Sequence, residues 1–348
     1  MQELMRSTDN PIIKPSEIKP SRDYFGVVGV FNPAAIQVNG ETVLFLRVAE
    51  EVLGSKDKIR IPIYNAQKKD VEIVVFDKDD PSVDNRDPRV VFKDGSFYLT
   101  SLSHLRLARS RDGIDFHIDN KPTLFPCETY EAYGIEDARV HYIGGVYYLT
   151  YSAVSQNDIA TALMRSQDLR SFERCGIIFD DYNRDVVLFT DTFDKKYYAL
   201  HRPFGKHIER PSIRIASSTN LRRWNDEGCI LEPRQGMWDS KKLGAGPPPF
   251  KINEGWLLLY HGVNEEEAYA TGAVLLGRDD PTHVLARTKV PLFCPQELYE
   301  KEGFFPNTVF TNGAIMREND TISIYYGACD ETVCLASITT RDILNKMN

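Results

Sequence analysis

The sequence predicts an all-β fold of the propeller type. Three observations carry that reading: a repeat of about fifty residues, turn dipeptides set inside apolar and aromatic runs, and a scarcity of helical periodicity. Residues 87–101 read DPRVVFKDGSFYLTS and residues 137–151 read DARVHYIGGVYYLTY, aligning without a gap at an offset of 50. In each, an apolar run meets a two-residue turn signal, Asp94-Gly95 or Gly144-Gly145, and returns as an aromatic, β-branched run. That is the pattern of a β-hairpin.

Weaker copies lie at 32–47 (with Asn39-Gly40 at its turn), 186–202, 248–261 and 309–326. A second phrase follows three of them: ARSRDGIDF at 108–116, MRSQDLRSF at 164–172 and ASSTNLRRW at 216–224. It reads as a third strand, a tight polar turn, and an aromatic that plugs the gap to the next unit. Four short strands per repeat make a blade, and a unit this small must stack on neighbours to bury its faces. Six hairpin phrases give six blades by simple counting; two phrases sharing one blade would give five. The charged stretch 48–86 breaks the rhythm and reads as an excursion from the first blade, a rim loop or a dimer contact. The tail 340–348 is the one segment with helical patterning. With no low-complexity linker, residues 1–348 are expected to form a single domain.

Composition narrows the function. A chain of 348 residues with 42% hydrophobic and 26% charged residues is ordinary for a folded protein. Its net charge of −8 argues against nucleic-acid or anionic-membrane partners. The polar start MQELMRSTDNPIIKPS has no apolar core of a leader, and no apolar run is long enough to span a bilayer, so a cytoplasmic protein is expected. Six scattered cysteines form no C-x-x-C pair and read as reduced, mostly buried thiols. The seven histidines show no H-E-x-x-H, and the P-loop and dinucleotide patterns are missing, so neither metal nor organic cofactor is expected.

In a propeller the inner strands converge on a central funnel, which makes their ends the candidates for chemistry. Heads of first strands supply Asn32, Asp87, Asp137, Arg184, Asp185, Lys242 and the Asn307 region; ends of second strands supply Arg47, His201, Arg202, Tyr260, His261 and Asp330. Carboxylates, arginines and aromatic faces together suit a sugar and acid chemistry at a glycosidic oxygen. Asp137, in GIEDAR, stands beside Glu136 and Arg139, whose charges could tune it as an acid; the plainer reading is a turn carboxylate paired with Arg139. Asp87 in NRDPR has the same two readings, with Pro88 favouring a turn. Arg184, Arg202 and Lys242 open or close consecutive phrases, and three converging cations call for an anion such as phosphate between them. The alternative is three separate surface ion pairs. GAGPPPF at 244–250 either admits a ligand close to the backbone or is a stiff crossing.

Taken together, several segments resemble glycoside hydrolase family 130, the β-mannoside phosphorylases and mannosidases. They are FNPAA with VLFLR (31–47), GIEDARV (134–140), NRDVVLF with YYALHRP (183–203), WDSKKLGAGPPP (238–249), GWLLLYHGV (255–263), PNTVFTNGAI (306–315) and IYYGACD (324–330). The N-terminal GVFNPAA…LRVAEE and the excursion are most similar to the branch acting on β-1,2-linked manno-oligosaccharides. The resemblance implies a five-bladed propeller rather than six blades. It also implies an inverting mechanism with Asp137 as the acid, its proton passing through the 3-hydroxyl of the bound mannose. Inorganic phosphate as co-substrate would attack C1 and give α-mannose 1-phosphate. The phosphate ligands implied are Arg184, Arg202 and Lys242, with Tyr260 and His261 beside them; Asn32, Arg47, Glu136 and Asp330 would hold the sugar. Two departures stand out: LFTDTF where the family often has Pro-Glu-Lys after LF, and EDAR where it often has EDPR.

The expected activity is therefore phosphorolysis. An inverting β-1,2-mannosidase is the alternative, needing a carboxylate base roughly 6.5–9.5 Å from the acid, with Asp185, Asp191, Asp239 or Glu266 available for it. A non-catalytic glycan-binding propeller is a third reading, disfavoured by Asp137 in its motif. The partners expected are a manno-oligosaccharide and phosphate, and a homo-oligomer is compatible with the sequence.

Overall fold

The computed structural model describes residues 4–54, 56–180, 182–205 and 207–347. The fold is all-β, with helices confined to single turns and a six-residue helix, Thr340–Asn345, capped by the Thr339 hydroxyl. None of the described helices is long and apolar enough to cross a membrane.

Antiparallel strands follow one another in groups. The first unit holds Phe25–Val38, Glu41–Val52, Leu102–Ser110 and the short His117–Ile118; the second holds Gly134–Ile143, Val146–Val154, Ile159–Ser166 and Glu173–Phe179. They meet at one parallel contact, Gly134 against Ser103. The third unit comprises Asn183–Leu188, Tyr197–Pro203, Ile213–Ser218 and Asn225–Leu231. The fourth comprises Lys242–Ala245, Gly255–Val263, Tyr269–Leu276 and Val284–Arg287, with Phe250–Ile252 added beside Gly255–Val263. In the fifth, Val309–Met316, Thr321–Ala328 and Thr332–Thr339 take the N-terminal Met5–Arg6 as their outer strand. Hairpin chemistry is as the sequence indicates: Asn39-Gly40 and Gly144-Gly145 both turn through positive φ, at 49° and 82° and at 58° and 84°.

The apolar cores lie between units. Leu105 and Phe45 pack with Leu149 and Tyr151; Leu163 with Val186 and Leu188; Leu200 with Leu258 and Val274; Leu257 and Leu259 with Ile322 and Ile324. A further core returns from the fifth unit to the first, joining Tyr325 and Ile315 to Leu44 and Leu46. Each face is thus buried by its neighbour, as units too small to shield themselves require.

Three expectations are corrected. The excursion extends from 53 to 101, not to 86. It contains the hairpin Lys58–Asn65 with Asp70–Asp77 and a small sheet of Val83–Asp84, Val90–Lys93 and Ser96–Leu99, closed over Ile61, Val83 and Val91. The 87–101 phrase therefore belongs to the excursion, and ARSRDGIDF completes the first unit after that detour. Alternation specifies a hairpin but not the sheet it joins, which is why counting phrases overcounted the units. Second, the plug aromatics reach backwards: Phe172 meets Phe45 at 5.9 Å, Phe116 meets Tyr325 at 6.0 Å, and Trp224 packs into the core between the second and third units. Third, of the six free cysteines only Cys329 and Cys334 are buried.

Candidate active site

In the inner strands of the first three units the pairing slips by one residue, between Phe31 and Ala34, Glu136 and Arg139, and Arg184 and Val187. The residue at each bulge, Asn32, Asp137 or Asp185, adopts φ of 44°, 47° or 57°. Asn and Asp tolerate this left-handed conformation better than other side-chain-bearing residues, and bulges re-aim side chains. On the facing strands Arg47 lies opposite Phe31 and Arg202 opposite Arg184, so the two arginines hold equivalent places in different units.

These residues line a cavity of about 270 Å³, together with Glu136, Arg184, His261, Tyr269 and Asp330. Asp137, 6% exposed, receives bonds at Oδ1 from Asn32 Nδ2 and Arg47 Nη1, both at 3.0 Å. Its Oδ2 has no partner among the described residues. Arg47 also sits 2.9 Å from Glu136 and over the Phe31 ring. Burial pushes the Asp137 carboxyl up, but Arg47, Arg139 and the Asn32 amide overrule it and hold the group below the usual carboxylate range. Asp330 responds oppositely: burial, reinforced by the charges of Asp137 and Glu136 against Arg47, raises it to about 6.

The same cavity carries further cations. Arg184 lies 3.7 Å from Glu136 Oε2, and Arg202 2.9 Å from Asp185 Oδ2. Neither contact is an aligned hydrogen bond, and Arg184 Nε and Arg202 Nε are buried without a partner. Lys242 is not on the cavity wall: it lies 3.8 Å from Glu267 Oε2 and 5.0 Å over the Tyr269 ring, and burial, then the Arg202 charge, lowers it to about 8. His261, fully buried, is 3.3 Å from Asp185 Oδ2, and burial lowers its pKa despite that carboxylate.

Not every candidate converges. Tyr260 faces away from the cavity: its hydroxyl donates to Asp239 Oδ2 at 2.8 Å and accepts from Arg287 Nε at 3.0 Å, so no phosphate contact is available to it. His201 bonds Asn183 at 3.0 Å and stacks on Phe179, outside the cavity wall. Asn307 also lies off the wall, which its neighbour Thr308 lines. Asp87 reaches the wall from the excursion, held to Arg89 by two bonds of 3.0 and 2.8 Å. Arg139 does not pair with the Asp137 carboxylate; it donates to the Asp137 carbonyl at 3.0 Å. In GAGPPPF, a Cβ at Gly244 would collide with Asp185 and His261, so that glycine makes room for a neighbouring carboxylate rather than a ligand. Sequence reasoning missed Arg89, Tyr269 and the pair Phe304-Phe305, all on the wall; adjacent aromatics in the loop GFFPN were the available signal.

A cavity of small-ligand size that brings buried carboxylates together with arginines keeping unpartnered donors suits an enzyme that acts on glycosidic bonds. The chain belongs to glycoside hydrolase family 130. Residues 100–348 match the family model described as beta-1,4-mannooligosaccharide phosphorylase. The chain is 44% identical to a beta-1,2-mannobiose phosphorylase of Listeria innocua, over 99% of this chain and 98% of that one. It is 38% identical to a 1,2-beta-oligomannan phosphorylase of a Thermoanaerobacter species, over 71% of this chain and 82% of that one. The solved Listeria innocua beta-1,2-mannobiose phosphorylase, in complex with beta-1,2-mannobiose, superposes with a TM-score of 0.96 at 43% identity, covering 99% of both chains.

Proposed function

We propose that this protein is an inverting phosphorylase of β-1,2-linked manno-oligosaccharides, releasing α-mannose 1-phosphate and a shortened acceptor, on a five-bladed propeller formed by one catalytic domain. The blade count is supported by the grouping of strands and by the core that returns from the fifth unit to the first. The substrate reading is supported by the names of the similar phosphorylases.

The observation that carries the reaction type is that Arg184 and Arg202 line the same cavity as Asp137 and keep buried N–H groups unspent there. Such donors suit a phosphate oxyanion, which must be neutralised to approach a carboxylate-lined centre. Asn32, Arg47, Glu136 and Asp330 hold the mannose. Asp137, ionised in the free enzyme, takes up its proton as the substrates dock; the negative charge of bound phosphate raises its pKa. The proton moves through the sugar 3-hydroxyl to the glycosidic oxygen, the C1–O bond breaks, and phosphate oxygen bonds C1 from the opposite face. His261 and Lys242 complete the phosphate side.

A hydrolase would need a free carboxylate base. Asp191 is half-buried, off the cavity wall and paired with Lys251, Asp239 is buried with Arg234 and Arg287, and Glu266 is exposed. Asp185 does line the cavity, but although burial pushes it up, Arg202, His261 and Arg139 hold it well below its usual range, making it a poor base. Incubation with β-1,2-mannobiose tests the proposal. Mannose 1-phosphate should form only when phosphate is present; equal release of free mannose with and without phosphate would mean hydrolysis.

A further inference from the structure

We propose that Asp185 is the positioning residue of the phosphate pocket, setting Arg202 and His261 in place, and that Gly244 exists to admit it. The inference rests on the reading that Arg202 contacts phosphate.

Asp185 is 3% exposed, so its carboxylate does not serve as a surface charge. Its Oδ1 accepts from Arg139 Nη2 at 2.9 Å, while Oδ2 stands 2.9 Å from Arg202 Nη2 and 3.3 Å from His261 Nε2. The two oxygens therefore do different work. Oδ1 is anchored by a guanidinium that is itself 1% exposed and that also donates to the carbonyls of Asp137 at 3.0 Å, Ala245 at 3.0 Å and Gly246 at 3.2 Å. Arg139 thus ties the bulge bearing the acid, the bulge bearing Asp185 and the Gly-rich crossing into one strut. Oδ2 faces Arg202 closely but without an aligned hydrogen bond, and Arg202 Nε stays unpartnered. Such a contact supplies charge and location while leaving donors of the planar fork for a second anion.

Without this counter-charge, Arg184, Arg202 and Lys242 would repel one another before phosphate arrives. Gly244 bears on the same atoms from the other side. A methyl group there would overlap Asp185 Oδ2 and the His261 ring. Substituting it moves the carboxylate without altering any charge.

The test compares KM for phosphate, KM for β-1,2-mannobiose and kcat in Asp185→Asn and Gly244→Ala, with Arg202→Ala as reference and melting curves to identify folded protein. Both variants should raise the phosphate KM about tenfold or more, the scale of one charge-assisted hydrogen bond. The mannobiose KM should stay within about threefold, since its ligands are untouched. Gly244→Ala stands in if Asp185→Asn does not fold. A folded variant of either kind with the wild-type phosphate KM, while Arg202→Ala raises it, overturns the role of Asp185. So does a fall in kcat or melting temperature with both KM values unchanged, which marks a purely structural residue. An unchanged phosphate KM in Arg202→Ala would instead remove the pocket reading on which this rests.

Discussion

The buried carboxylates at the cavity and those between the loops and second strands use the same residue types to opposite ends. Glu131 accepts from the Cys127 and Glu128 amides, from the Tyr151 hydroxyl at 2.7 Å and from Arg174 Nε at 2.9 Å. Glu300 repeats this with the Gln296 and Glu297 amides, Tyr326 at 2.7 Å and Arg6 at 2.8 Å. Asp239 does so with Tyr260, Arg234 and Arg287. All three carboxylates are 0% exposed, and none of their oxygens is among the buried atoms lacking a partner. At the cavity, by contrast, Asn32 Oδ1, Arg184 Nε, Arg202 Nε and both His261 nitrogens lack hydrogen bonds. A saturated network fixes structure, whereas one with unspent donors is prepared for a ligand. Tyr260 shows the value of the distinction: next to His261 in sequence, it belongs to a latch and not to the site.

Substitutions in the two regions should separate cleanly. The largest effect expected is Asp137→Asn, which should lower turnover by about 10²–10⁴-fold or more, the contribution of a general acid, with little change in melting temperature. Undiminished activity in that variant would take Asp137 out of the mechanism. Glu131→Gln should do the reverse, costing about 2 kcal/mol of stability because the half-buried Arg174 loses its charge partner, while the folded enzyme keeps its KM values. Tyr260→Phe is the sharper and smaller test. It should cost about 1–2 kcal/mol and leave the phosphate KM alone; a raised phosphate KM would return Tyr260 to the pocket. Smallest is a pH effect. Asp330 is raised to about 6, so below that value its ionisation to accept sugar hydroxyls should offset the fall in kcat/KM for mannobiose that proton uptake at Asp137 imposes, giving a level limb below about 6 and a fall above it. The limb should vanish in Asp330→Asn; because Asp137 interacts with Asp330, the apparent value belongs to the pair.

Part of the latch system was legible but unread. LFPCETYE at 124–131, LEPRQGMWD at 231–239 and LFCPQELYE at 292–300 are loop repeats that each end on the buried carboxylate or run up to it. Hairpin patterning does not mark them, because polar loops carry no strand periodicity. In the sequence Asp185 reads as a strand head, an ion-pair partner for the nearby cations or a hydrolytic base. Its work depends on Arg139, 46 positions earlier in the chain, and on a glycine 59 positions later, neither of which is adjacent to it in sequence.

By itself the sequence determined the local conformations: hairpins at Asn39-Gly40 and Gly144-Gly145, alternating strands, a terminal helix, and an acid and three cations at strand ends. Those follow from short-range sterics and side-chain period, which a few consecutive residues express. Only the tertiary structure decided that the 87–101 hairpin joins the excursion, that Tyr260 turns to Asp239, and that Arg47 reaches Asp137 across 90 positions. A period of two tells which face a side chain takes, but not which sheet lies against it, and long-range electrostatics exist only once that neighbour is in place.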